Sequence, residues 1–401
     1  MITINKIRRF HRFYTPLLPF FFHIIWIIPF LHRLINYSSK RKKILLIAQN
    51  NIAADHIKYI YDLLFPFEKI SIEVTTDWVP PRKFNKYDIK KIVPAKYVHI
   101  FWALVRNWDL IVFTNHPFGF GIWFSPHIKK LYINHGIHTG KINNDLGEDG
   151  VYGKSRVNRP FKKPYYSCMF ASSEKEKSLA IKTNPLLKNT IKVTGFLKSD
   201  LFSCRYLNNK EKIRRKLGYE SNEKIIHIIS TWGEDSLYKQ LGDKFLRKAV
   251  NLQETYKCIF SLHPRYDEFN KTSSEKRESI LTKYERLGMR VNRGLDWEDY
   301  VAVADIAISD HSSMCLYHLL LNHPILLTNV PQSGYLTDGL YARLKKHAYT
   351  LKNNESLEKQ IEPLFADNLR INYTEIKKQM LQHQGEAAQR YLDEIFSLLA
   401  P

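Results

Sequence analysis

The run Ile306-Ala307-Ile308-Ser309-Asp310-His311-Ser312-Ser313, continuing as Met314-Cys315-Leu316-Tyr317-His318-Leu319-Leu320-Leu321, decides the fold. Its first part is short and apolar and closes on Ser309, the pattern of a strand buried on both faces. Its last part is apolar over about two turns, as in a helix packed against that strand. A carboxylate, an imidazole and two hydroxyls lie between. A buried strand passing through small polar residues into a helix is the βα unit of a parallel sheet, whose ligands gather at the strand carboxyl ends. Asp310, Ser312 and Ser313 are therefore candidate donor-phosphate residues, since helix-start N–H groups and hydroxyls suit a diphosphate. An N-cap pair is the competing reading.

The same pattern recurs on either side. Apolar runs at Ile44 to Ala48, Leu110 to Thr114, Lys130 to Asn134, Met169 to Ser172 and Ile191 to Thr194 precede it. Ile225 to Ser230 and Lys257 to Leu262 also precede it, and Ile325 to Thr328 follows. Helical patterns separate them, which predicts an α/β protein with two Rossmann-like domains facing a central cleft. A break at Pro185 divides one domain, 44–187, from a second, 188–370. Residues 371–401 read as closing helices.

Four more polar clusters fall just past expected strands. In Asn134-His135-Gly136, a histidine on a turn suits a general base, although a histidine closing a turn reads equally well. Gly195-Phe196-Leu197-Lys198-Ser199-Asp200 lets a backbone approach a ligand at Gly195, or is a plain turn. Ser230-Thr231-Trp232-Gly233 offers hydroxyls and N–H groups to phosphate, with Trp232 near the ligand or in the core. In His263-Pro264-Arg265, Arg265 is a fixed cation for phosphate and His263 a proton donor or hydrogen-bond partner.

Charge narrows the partners. The 401 residues carry 61 Lys+Arg against 39 Asp+Glu, a net +22, which implies polyanionic company. No nucleic-acid module or aromatic-interleaved basic patch occurs, so phosphorylated substrates and anionic lipid are the expected partners, and nucleic acid is not. Cys168, Cys204, Cys258 and Cys315 show no metal-ligand spacing, and no metal or cofactor is expected.

The first 43 residues stand apart. No acidic residue precedes Asp55, while Lys6, Arg8, Arg9, Arg12, Arg33 and Lys40 to Lys43 are basic. Phe13 to His32 is uncharged and rich in Phe, Leu, Ile and Trp, but Pro16, Pro19 and Pro29 interrupt it. Basic flanks on both sides disfavour a simple span, and an interfacial segment with its basic ends on anionic headgroups satisfies both features. A peripheral or monotopic place at the cytoplasmic membrane face is the expectation.

Taken in order, the five motifs resemble those of the CDP-glycerol glycerophosphotransferase family of teichoic-acid and capsule polymerases. The likeness runs from about Lys130 to Pro331, through His135-Gly136, Gly195 to Asp200, Thr231-Trp232, His263-Pro264 and Asp310-His311-Ser312-Ser313 to Pro324. It implies a GT-B fold, a CDP-linked polyol phosphate donor and in-line transfer to an acceptor hydroxyl in cell-surface polymer synthesis. His135 would be the base and His263 would assist at the donor phosphates or leaving group. Ser312 and Ser313 would hold the diphosphate, with Thr231 and Arg265 beside them. Three departures stand out: Ile137-His138 where the family has Thr-Pro, Lys141 one position late, and His311 in place of Tyr. They leave a GT-B glycosyltransferase using a nucleotide sugar as the alternative, and a non-catalytic basic membrane or nucleic-acid binding protein as the third reading.

The stretch from Gly140 to Pro164 brings Lys141, Lys154, Arg156, Arg159, Lys162 and Lys163 after His135, as an acceptor-side loop for an anionic polymer or lipid-linked acceptor. A merely solvated loop is the alternative. Asp296 with Glu298 and Asp299 resembles an acidic metal cluster, but Asp296 as the cap of a helix starting at Trp297 accounts for it better.

Overall fold

The computed structural model describes residues 41–77, 86–117, 120–138, 140–143, 148–158, 163–264, 273–294, 297–329, 335–365 and 373–400. The apolar and basic segment expected over 1–43 lies outside these residues except for its last three. Among the described residues no helix is long and apolar enough to cross a membrane.

The chain forms β1 (Lys42–Ala48), β2 (Ile70–Thr76), β3 (Lys96–Tyr97), β4 (Leu110–Phe113), β5 (Lys129–Ile133), β6 (Ile142–Asn143), β7 (Glu148–Asp149), β8 (Cys168–Ala171) and β9 (Ile191–Val193). It continues with β10 (Ile225–Ser230), β11 (Lys257–Leu262), β12 (Arg290–Asn292), β13 (Ile306–Ser309), β14 (Ile325–Leu327) and β15 (Tyr349–Thr350). One seven-stranded sheet has the order β3-β2-β1-β4-β5-β8-β9, and a six-stranded sheet has the order β12-β11-β10-β13-β14-β15. Every pairing in both sheets is parallel. β6 and β7 make a small antiparallel hairpin beside the first sheet.

The apolar runs became strands because helices cover both faces of each sheet. Ile44, Leu46 and Val112 face one core of the first domain, and Leu45, Ile47 and Phe113 face the other. The helix Asn51–Leu64 shows how sequence sets these elements. Asn50 caps it by accepting the Ala53 N–H, and Ala53, Ala54, Ile57, Ile60 and Leu64 form its buried stripe. The second sheet is likewise enclosed, with Ile225, Ile229 and Ala307 on one side and Ile226, Ile228 and Ile308 on the other.

The chain crosses between the domains later than the break at Pro185 implies. β9 pairs in parallel with β8 and is the last strand of the first sheet, so the division at 187/188 falls inside that domain. The closing helices serve different domains. Thr374–Met380 adds Ile376 and Met380 to the second domain's core. Ala387–Leu399 returns to the first, where Ala387, Tyr391, Ile395 and Leu399 join Ile44 and Leu46.

Candidate active site

Both sheets direct their strand carboxyl ends toward the cleft between the domains. His135 follows β5 and is half-buried, and its Nδ1 lies 2.9 Å from the carbonyl oxygen of Thr114. A carbonyl only accepts, so Nδ1 carries the proton and Nε2 is the basic nitrogen of the neutral ring. His56 stands edge-on at 6.4 Å, and burial followed by the Lys198 charge holds its pKa well below the ordinary imidazole value. His135 thus has a neutral neighbour.

On the second domain, Asp310 organises the turns after β10 and β13. It is fully buried; Oδ2 accepts the N–H groups of Thr231 (2.8 Å) and Leu237 (2.7 Å), and Oδ1 accepts that of Ser312 (2.9 Å). Burial outweighs these bonds and pushes its pKa up to about 7. Asp310 was expected among the donor-phosphate contacts. With both oxygens occupied and no surface, it is instead the tie that sets Thr231 and Ser312 side by side. His311 is also inside, against Tyr335 at 5.4 Å, and burial presses its pKa down to about 3. The hydroxyl of Ser312 accepts the Met314 N–H at 3.3 Å, as an N-cap does, and Ser313 is exposed.

Ser230 and Gly195 need correction as ligand contacts. Ser230 is 2% exposed and its hydroxyl accepts the Tyr238 N–H at 3.0 Å, which commits it to the start of the helix Leu237–Val250. Gly195 has φ +80, and a Cβ there would lie 2.7 Å from the Gln382 carbonyl oxygen. The glycine makes room for the returning chain, and a carbonyl oxygen is no partner for phosphate. Asp200, at the end of the same motif, accepts the Ala387 N–H at 3.0 Å where the last helix begins.

The His135 loop reaches the second domain. Leu336 donates its N–H to the Gly140 carbonyl at 2.8 Å, and Lys141 forms an antiparallel bridge with Tyr335. The Lys141 ammonium lies over the Trp232 ring, 3.9 Å from its centroid, and the ring centroids of Trp232 and His263 are 6.5 Å apart. Lys141, read as an acceptor-side residue, therefore stands against the second domain, close enough to act electrostatically on Asp310 and His311. Lys154 and Arg156 lie on the short helix Lys154–Val157. Arg265, Asp296, Arg159 and Lys162 lie outside the described residues.

Two features escaped sequence reading. His138 is buried and pairs with Asp149 at 2.8 Å, anchoring the β6–β7 hairpin behind Lys141. Burial alone would lower the His138 pKa, but the Asp149 carboxylate outweighs it and holds it above the ordinary value. Behind the cleft, Lys198 is 3% exposed, bonds to Asp55 and lies 3.4 Å from Glu298. Tyr59 donates to Glu298 at 3.1 Å, so the first domain's helix is bound to the second through this buried cluster. Glu298 and Asp299 are thus bonded to Lys198 and Lys216. Among the described residues, no group of three or more His, Cys, Asp or Glu is gathered to hold a metal.

Two parallel-sheet domains, facing across a cleft with polar turns at their strand ends, define the GT-B class of nucleotide-dependent transferases. The chain belongs to the CDP-glycerol:poly(glycerophosphate) glycerophosphotransferase family, which matches residues 29–397. It is 24% identical over 297 residues to the teichoic acid poly(glycerol phosphate) polymerase of Bacillus spizizenii, covering 71% of this chain and 69% of that protein. Among solved structures it resembles the wall teichoic acid polymerase TagF, with TM-score 0.65, 15% identity, and coverage of 100% of this chain and 99% of that one. It also resembles UDP-GlcNAc 2-epimerase of Methanocaldococcus jannaschii, with TM-score 0.58, 14% identity, and coverage of 88% and 99%. At these identities the structural likenesses show the fold. The family match makes the chain a glycerophosphotransferase of cell-surface polymer synthesis.

Proposed function

We propose that the protein transfers glycerol phosphate from CDP-glycerol to the terminal hydroxyl of an anionic polymer or lipid-linked acceptor at the cytoplasmic membrane face. The observation that carries this reading is the convergence of four motifs across the cleft. Lys141, from the His135 loop, covers Trp232, Trp232 stands beside His263, and Asp310 joins the Thr231 and Ser312 turns. A variant of TagF has been solved after soaking with CDPG, which supports the same donor.

In this reading Thr231, Ser312, Ser313 and Arg265 hold the diphosphate. The acceptor oxygen gives its proton to His135 Nε2 and attacks the phosphorus that bears glycerol. A new P–O bond forms in line as the bond to CMP breaks, and His263 supplies a hydrogen bond or proton to the departing phosphate. Lys141 adds positive charge where the leaving group gains negative charge. Its place on the donor side is why the acceptor role moves to Lys154 and Arg156.

The test is nucleotide release from CDP-glycerol, and separately from UDP-sugars, with an oligomeric acceptor. CMP release should fall by roughly 100- to 10,000-fold in His135→Ala, the usual contribution of a general base. UDP release without CMP release would reject the glycerophosphate donor and keep the fold alone. Wild-type rates in both His135→Ala and His263→Ala would reject the site.

A further inference from the structure

Three aromatic side chains of the second domain, His311, Tyr335 and Tyr341, meet beside the Ser312 turn, and all three are buried. The His311 ring lies edge-on to both phenols, with centroids 5.4 Å from Tyr335 and 6.3 Å from Tyr341. The two phenol rings are 4.6 Å apart. Among the described residues, no hydrogen-bond partner reaches His311 Nδ1, Tyr335 Oη or Tyr341 Oη. A buried polar atom without a partner has given up water for nothing, and native proteins hold few of them. Three converging in one cluster mark a place where a ligand supplies the missing bonds.

The cluster has a defined chemistry. Burial presses the His311 pKa down to about 3 and raises those of both phenols, so all three groups are neutral. A neutral imidazole and two phenols each donate and accept, which matches hydroxyl groups; ionised phosphate oxygens only accept. Asp310 lies close enough to act on both phenols, and His311 directly precedes Ser312. The loop that carries His135 closes on the same cluster. Lys141 bridges Tyr335 and lies close enough to act on His311. A Cβ at Gly140 would stand 2.9 Å from the Gly339 Cα, so the two backbones touch just before Tyr341.

We infer that His311, Tyr335 and Tyr341 form the polyol subsite of the donor, bonding the hydroxyls of the group that is transferred. The inference rests on the glycerophosphate reading above and deepens it. A CDP-linked polyol carries a nucleoside at one end of its diphosphate and the polyol at the other. His135 faces the phosphorus that bears the polyol, and its loop closes on the cluster, so the polyol is the end that reaches these three groups. The bridge from Lys141 to Tyr335 parts as the donor enters, and the polyol hydroxyls take up the three idle atoms. A donor without those hydroxyls leaves them unpaired again, which is how such a site tells a polyol from an apolar group.

The test is calorimetric titration of the full chain with CDP-glycerol and with CDP, which lacks the glycerol, in wild type, Tyr335→Phe and Tyr341→Phe. Each substitution removes one hydroxyl and keeps the ring, so the melting temperature is expected to hold or rise. Affinity for CDP-glycerol is expected to fall roughly three- to tenfold in each variant, the scale of one hydrogen bond, while affinity for CDP stays as in wild type. Two separate variants keep the test decisive should either misfold. Equal losses for both ligands place the hydroxyls on the diphosphate and overturn the subsite. Unchanged affinity for both overturns it too, as does a lower melting temperature, which would show the hydroxyl bonded within the protein. A wild-type chain that binds UDP-sugars but neither cytidine ligand overturns the glycerophosphate donor itself, and the subsite with it.

Discussion

Two of the places where the domains meet differ in kind. Behind the cleft, Lys198 is almost completely buried between Asp55 of one domain and Glu298 of the other, under Tyr59 and the Trp297 ring. At the mouth, contact is lighter: Leu336 bonds to the Gly140 carbonyl within the Lys141–Tyr335 bridge, the Lys141 ammonium lies over Trp232, and Lys182 and Asp338 pair at 3.2 Å with both side chains exposed. A buried charge that loses a partner is costly, so the rear contact resists opening. A backbone hydrogen bond and a cation–π contact at a cleft mouth have water as a substitute, so the front contact opens at lower cost. The fold pairs a fixed rear with a releasable front, the arrangement a transferase needs to admit a nucleotide donor and discharge CMP.

The strongest way to break this comparison is Lys198→Met. It leaves the Asp55 and Glu298 carboxylates facing one another without a cation, at a cost of about 3 kcal/mol, the low end for a buried pair because Asp55 is partly exposed. Urea unfolding should show that loss. A variant as stable as wild type would mean that the rear cluster does not hold the domains.

At the mouth, Lys141→Met should leave global stability within about 1 kcal/mol and raise the donor KM by roughly two- to five-fold, the scale of one exposed cation–π contact. The side-chain stem still covers Trp232, so the change isolates the charge. A stability loss equal to that of Lys198→Met would erase the distinction between front and rear, whereas an unchanged donor KM would remove Lys141 from the donor side.

The sequence disclosed what depends on short-range pattern and withheld what depends on the chain's return. β10, β11 and β13 begin and end where their apolar runs do, because a strand buried on both faces is mostly apolar and holds a polar residue only with a partner, as His227 is held by Ser261 and His318. β2 was hidden because ISIEVTT mixes Glu73 and threonines into a strand that is half-buried over its first four residues. Gly195 and Asp200 were visible as a motif, but their partners, Gln382 and Ala387, lie nearly two hundred residues later, and spacing carries no trace of such contacts. Asp310 was legible as a polar residue at a strand end. Only its three backbone bonds reveal that it ties the Thr231 and Ser312 turns together. His138 was legible as a departure from the family pattern, and its meaning appeared with Asp149.

That pair gives the smallest and sharpest test. Because the His138 pKa is raised in the folded protein, its contribution to stability is complete below the ordinary imidazole value and is lost as pH rises through the folded value. Asp149 is shifted the other way: burial alone would raise it, but the His138 charge and three hydrogen bonds hold it below the ordinary carboxylate value, so its contribution is lost only as pH falls through that lower value. The pair therefore supports the hairpin behind Lys141 across mildly acidic and neutral pH and weakens as conditions become alkaline, with Glu176 favouring and Arg343 opposing protonation of His138. As pH rises above the ordinary imidazole value, the wild type should lose stability from this source, seen as a lower melting temperature and a rising donor KM. His138→Asn, uncharged throughout, should flatten both slopes and leave the stability of the rear contact unchanged. If the variant keeps the wild-type slopes, the pair is not ionised in the folded protein, and the front contact owes its strength to Gly140 and Lys141 alone.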